Sequence, residues 1–303
     1  MVLLLLVDLD PELAALCPLG AFFRLRTGAP PNGPLPSLSQ AYADSPSRPP
    51  SDPSSDPLPQ PPSGPSPHPP SGQSPHPPSG QSPHPPSGPH AHPLTQRVRR
   101  VADGIRAAEP RVAASVAHQG LAARLWSAAL GCAALYGRVP DLDPRLLHWD
   151  PTASAPDDLW LSGVRPLPGD EATVADLVLH AHLEPLAAAL RARYRLAPGL
   201  LRGNAASALA GAARQLERWA RAEGRPEAGG RARELAARLL AHPLLAGALT
   251  GTGALTSTGA VTGAGTAFRR RSCCLYYRVP GGGVCGDCCF TRAPRSSPRA
   301  ASG

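Results

Sequence analysis

The chain has no lysine at all, so every one of its 30 basic side chains is arginine. Isoleucine occurs only at Ile105 and asparagine only at Asn32 and Asn204, while alanine, glycine and proline abound. That imbalance marks a GC-rich coding bias more than a chemistry. Aromatic residues make up 4% of the chain, and the formal net charge is +8. The arginines are scattered along helix-like segments and no recognition motif accompanies them, so the excess reads as a solvated basic surface and no nucleic-acid partner is expected. A long apolar run is also missing. The run from Met1 to Val7 is too short to span a bilayer, and Asp8 and Asp10 follow it at once. It lacks the basic flank and small-residue cleavage site of a secretory signal. It reads as a buried strand or helix start, and the chain as cytoplasmic with no membrane span.

Against these absences stands a local surplus of thiols. Five of the 7 cysteines lie between Cys273 and Cys289. Cys273 and Cys274 are adjacent, ten residues intervene, and Cys285 and Cys288 follow as Cys-x-x-Cys, with Cys289 left over. Four thiolates brought to one small volume suit a metal site. Leu275, Tyr276, Tyr277 and Val279 favour extended backbone, and Pro280-Gly281-Gly282-Gly283 forces a turn, so a hairpin-like loop would bring the two pairs together. Structural zinc and iron-sulfur chemistry both accept four cysteines. The adjacent pair strains chelation of a single small ion and favours the wider anchoring of a diiron cluster.

This spacing resembles the C-terminal 2Fe-2S motif of FhuF-type ferric siderophore reductases. The resemblance implies that Cys273, Cys274, Cys285 and Cys288 hold one 2Fe-2S cluster, which passes an electron to siderophore-bound iron. Cys289 falls outside the motif and reads as a packed thiol. Three further stretches resemble the same family: Ala113 to His118 with Leu121 to Trp126, His182 to Leu186, and Leu200-Leu-Arg-Gly-Asn204. In the last of these Arg202 stands where the family has an aromatic residue. The resemblance places substrate contacts at His118, His182, Arg202 and Asn204. For three of them the residue alone suggests something plainer: a hydrogen-bonded core imidazole for His118, capping or a core hydrogen bond for His182, and a helix cap for Asn204.

The rest of the chain sorts by composition. Residues 1–28 carry apolar spacings for a short helix packed on the main domain, with Cys17 as a small core residue. Residues 29–93 are rich in Pro, Ser, Gly and His, and an octapeptide repeats from Ser66, Ser74 and Ser82. Such a tract cannot build a core and is expected to be a disordered insert, anchored only around Ser37 to Ala43. The regular spacing of His68, His76 and His84 follows from duplication alone. Residues 94–246 should form the helical domain: Thr95 to Ala107, Arg111 to Gly131, Thr173 to Tyr194, a helix to Ala222, and Ala228 to His242. A small β-hairpin is expected from Leu146 to Trp149 and from Leu159 to Val164, with Asp157 and Asp158 as exposed turn acids. Residues 247–266 read as a Gly/Thr/Ala tether, 267–292 as the cysteine module and 293–303 as a polar tail.

The fold class expected is therefore mainly α (α+β). The expected activity is one-electron reduction of ferric siderophores, hydroxamates above all, with a reductase or ferredoxin supplying the electron. An iron-sulfur sensor and a binding protein stabilised by zinc on four cysteines are the alternatives.

Overall fold

The computed structural model describes residues 13–30, 33–43, 92–250 and 268–294. The octapeptide repeats, most of the Gly/Thr tract, the initial apolar run and the polar tail lie outside them.

Helices dominate. They are α1 (Leu38–Tyr42), α2 (Pro93–Ile105), α3 (Pro110–Tyr136), α4 (Glu171–Ala175), α5 (Glu184–Tyr194), α6 (Pro198–Ala222) and α7 (Pro226–Ala241). Proline opens α2, α3, α6 and α7 within the first turn, where its missing N–H costs nothing. The centre is the long helix α3, whose residues are buried on all faces from Val112 to Ala134. It can be covered all round because alanines let α2, α6 and α7 approach closely. Gly131 shows how close: a Cβ there would stand 3.0 Å from the ring of Phe23. The segment from Leu13 to Leu25 thus does pack on the helical body, burying Leu13, Leu16, Leu19 and Phe23. Cys17 is the exception to that reading, being exposed.

Between α4 and α5 the backbone widens to a π-helical segment, Asp176–Leu183, where one uniform helix was expected. Such segments are rare and often mark places where side chains must be re-aimed. Here it turns the side chain of His182 fully into the interior.

The expected hairpin forms. Strands β3 (Leu147–Trp149) and β4 (Leu159–Leu161) pair antiparallel with His148 opposite Trp160. An unforeseen strand, β1 (Arg26–Thr27), adds to β4 in parallel. A second ladder joins β2 (Arg138–Pro140) to β5 (Pro166–Pro168). Asp158 corrects the reading of exposed turn acids. It is 1% exposed and accepts from Arg124 Nε at 2.9 Å and Arg97 at 3.3 Å. Asp157 pairs instead with Arg26, and Arg165 with Asp141.

Ser37 caps α1 with a reciprocal capping box to Gln40, so the anchored patch around residues 37–43 is a real helix. His92 Nε2 lies 3.0 Å from the carbonyl oxygen of Ala43. Ala43 and His92, which border residues 44–91, therefore lie together.

Candidate metal centre

The cysteine module is fastened to the helices by a short ladder and a set of buried polar contacts. Strand β6 (Leu249–Thr250) pairs with β7 (Arg269–Arg270), setting Leu249 opposite Arg270. Arg270 then points inward and is 1% exposed, between α3 and α6. Its guanidinium bonds the side-chain oxygen of Asn204, the Leu200 carbonyl at 3.3 Å and Gln119 Oε1 at 3.2 Å. Gly203 is needed beside it, because a Cβ there would stand 2.6 Å from Ser272 Oγ and 3.2 Å from the guanidinium. Ser272 Oγ donates to the Gly199 carbonyl at 2.6 Å.

Two further bonds hold the cysteine backbone itself. Ser115 Oγ donates to the Cys274 carbonyl at 2.7 Å, and Asn204 Nδ2 donates to the Ser115 carbonyl at 2.9 Å. Asp287 lies inside the Cys-x-x-Cys element. Its carbonyl accepts from the Arg270 amide at 2.8 Å, and its carboxylate accepts from Ser207 Oγ at 2.6 Å and Arg214 at 3.2 Å. The Cys273–Cys274 pair is thus tied to α3 and α6, and the Cys-x-x-Cys element to α6 and to the Arg270 backbone.

The loop between the pairs corrects the expectation of extended strands. Tyr276–Arg278 forms a 3₁₀ turn, entered through Leu275 at φ 68°. A left-handed leucine is costly, and the conformation brings the Leu275 amide within 3.2 Å of Cys273 Sγ. At the far end the Phe290 amide donates to Cys288 Sγ at 3.4 Å.

The thiols fall into a pair and a trio. Cys274 and Cys285 share a hydrogen bond with their sulfurs 3.6 Å apart. The sulfurs of Cys273, Cys288 and Cys289 all lie within 4.8 Å of one another. Cys274 and Cys288 are 3% and 4% exposed, while Cys273, Cys285 and Cys289 are partly buried. Without an ion, crowding splits their proton affinities. The hydrogen bond from Cys274 draws Cys273 below the usual thiol range, the bond shared with Cys274 drives Cys285 upward, and burial raises Cys289. Two sulfurs on one tetrahedral ion with bonds of about 2.3 Å stand about 3.8 Å apart, a spacing close to that of the Cys274–Cys285 pair. Soft thiolates, backbone amides aimed at two of them and a buried guanidinium nearby all fit an anionic iron-sulfur cluster.

The other expected site residues are placed differently. Asn204 is not a helix cap: α6 starts at Pro198, so Asn204 lies inside the helix, fully buried, and binds both Ser115 and Arg270. His182 is fully buried on the π segment, with Nδ1 2.8 Å from the Tyr42 hydroxyl and Nε2 2.5 Å from the Leu142 carbonyl. Both its nitrogens are thereby engaged inside the fold. His118 and Arg202 do come together, lining a pocket of about 120 Å³ with Leu179 and Leu201. His118 is 1% exposed and its Nδ1 has no hydrogen-bond partner among the described residues. Burial, reinforced by Arg270, lowers its pKa to about 3. A larger pocket, about 380 Å³, lies between Phe22, Gln119, Ser207, Gly211 and Asp287.

Sequence reasoning missed Ser115, Gln119 and Asp287. Only Asp287 offers a signal, as an acid inside Cys-x-x-Cys; the others are ordinary polar residues on alanine-rich helices. Arg270 stands in sequence as one of three consecutive arginines, yet it alone of the three is buried.

No helix among the described residues is long and apolar enough to cross a membrane. Neither a curated protein nor a solved structure matches the chain. Residues 270–290 do match a family model, that of the FhuF 2Fe-2S C-terminal domain. The match starts at the buried arginine and ends just past the thiol trio, so the stretch that docks on α3 and α6 is the one that is similar to the FhuF 2Fe-2S C-terminal domain.

Proposed function

We propose that the protein is a cytoplasmic ferric siderophore reductase, with Cys273, Cys274, Cys285 and Cys288 as the ligands of its 2Fe-2S cluster. The observation that carries this reading is the convergence of the module's thiols within the stretch that matches the FhuF 2Fe-2S C-terminal domain. When bound, the cluster supplies one electron at a time. Reduction alone releases iron, because hard oxygen donors such as hydroxamates hold ferric ions far more tightly than ferrous ions.

The remaining work falls to the chain. Arg270 presents a positive charge, unscreened by water, to a cluster that becomes more negative on reduction, and so favours the reduced form. Asp287, Ser207 and Arg214 fix the Cys-x-x-Cys element against α6. The pocket of about 380 Å³ borders that element through Asp287 and is in the size range of small-molecule sites. It is a better seat for the ferric chelate than the His118–Arg202 pocket, whose 120 Å³ admits one arm of a chelate at most. In this reading Gln119 and Ser207 meet the ligand's polar edge and Phe22 its apolar one. A reductase or ferredoxin would supply the electron from outside.

The test is anaerobic purification followed by visible absorption, EPR after dithionite reduction, and trapping of ferrous iron from a ferric hydroxamate. A colourless protein with one zinc per chain would replace the reading by that of a structural zinc site on four cysteines.

A further inference from the structure

The module holds one thiol more than a four-cysteine site uses, and the surplus is not spread evenly. Cys274 and Cys285 form a pair at 3.6 Å, which leaves three sulfurs, Cys273, Cys288 and Cys289, mutually within 4.8 Å for the remaining positions. Cys289 cannot be set aside as a packed bystander on this geometry. It stands as near to the site as the two sulfurs between which it would have to choose, and it is partly exposed rather than sealed in the core.

Two contacts distinguish the occupants. Backbone amides donate to Cys273 Sγ, from Leu275 at 3.2 Å, and to Cys288 Sγ, from Phe290 at 3.4 Å. Amide donors favour a thiolate over a thiol, which makes these two the resident ligands of the trio. We infer that Cys289 is a reserve ligand, able to replace Cys288 on the cluster. The inference rests on the 2Fe-2S reading of the module. In the exchange the iron–sulfur bond to Cys288 breaks as the bond to Cys289 forms. The proton released by the Cys289 thiol passes to the Cys288 sulfur, so neither the net charge nor the electron count changes. Only the Cys288–Cys289 segment has to move. The Cys274–Cys285 pair and the docking bonds of Arg270 and Ser115 are on other residues and stay in place. A module with such a spare would keep its metal after loss or oxidation of the Cys288 thiolate.

The test compares Cys288→Ala, Cys289→Ala and the double variant of the full chain, since alanine, unlike serine, offers no oxygen ligand. Iron and acid-labile sulfide are measured after anaerobic reconstitution, with the EPR line shape as second readout and circular dichroism as the check on folding. Cys289→Ala should match the parent in content and line shape. Cys288→Ala should stay within about twofold of the parent in content with a changed line shape, and the double variant should fall about tenfold or more. Cys288→Ala as empty as the double variant overturns the inference while leaving the four-cysteine site intact. A parent protein that binds no iron and sulfide overturns the 2Fe-2S reading as well.

A measurement on the unaltered protein guards against misfolding of the variants. Alkylation of the cluster-loaded chain with a small iodoacetamide, followed by peptide mapping, should label Cys289 and Cys288 alternatively, summing to about one per chain. Label confined to Cys289 contradicts exchange.

Discussion

Asn204 and Arg270 meet between α3 and α6, the asparagine oxygen accepting from the guanidinium while its nitrogen donates to Ser115. One amide thus joins the residue that enters from the cysteine module to the residue that holds the Cys274 carbonyl. Replacing Asn204 by Ala removes one of the three acceptors of a buried cation and the donor to the Ser115 carbonyl. The expected loss is about 2–3 kcal/mol of stability. It is checked by urea unfolding of the parent and Asn204→Ala, and an unchanged midpoint would show that docking does not depend on this amide.

Arg270 and its neighbours separate by burial. Arg270→Gln should lower the cluster's reduction potential by on the order of 60 mV, a tenfold step for a one-electron couple. Arg269→Gln and Arg271→Gln should change it much less, because both side chains are exposed and screened. Redox titration followed by EPR measures all three. Equal shifts for all three would mean that only net charge matters.

Two buried histidines set the acid response. Burial lowers the pKa of His118 to about 3, and that of His182 to about 4 against the opposing Leu142 carbonyl and Asp143. Unfolded, each takes a proton near pH 6.5. Between pH 6.5 and about 4 the unfolded chain therefore binds more protons than the folded one, and stability falls as pH falls. The slope approaches about 1.4 kcal/mol per pH unit for each histidine. His118→Phe should flatten the fall by one histidine's share in urea unfolding at pH 7 and pH 5.

The pocket beside Asp287 can be filled without touching a ligand cysteine. Gly211 lines it, and a Cβ there meets nothing within 4 Å. Gly211→Leu should leave the visible spectrum unchanged and weaken binding of a ferric hydroxamate about tenfold or more, read by fluorescence quenching. Unchanged affinity would move the chelate elsewhere on the surface.

What the sequence made legible was local. The cysteine spacing and the β3–β4 hairpin depend on neighbours within a dozen residues or so, and the structure brings the partners of each together. Asp158 reads as an exposed turn acid because its partners Arg124 and Arg97 come from other helices, 34 and 61 residues away. Asn204 looks like a cap because a polar residue after Leu-Leu-Arg-Gly commonly ends a loop. Pro198 has already started the helix, and the amide's partners Ser115 and Arg270 are remote in sequence. The same distance hides Gln119 and the contact of Ser207 with Asp287. His182 is half legible: a core hydrogen-bonded imidazole is the plainer expectation, but its aim depends on a π segment that no periodicity announces.

The central claim is that the module passes single electrons to chelated ferric iron. Its most direct measurement mixes the dithionite-reduced, desalted protein with a ferric hydroxamate in the presence of a ferrous trap. Reoxidation of the cluster, followed by its visible bands, should yield one trapped ferrous ion per electron lost, and Cys285→Ala should yield none. A cluster that stays reduced beside an intact ferric chelate would contradict the account.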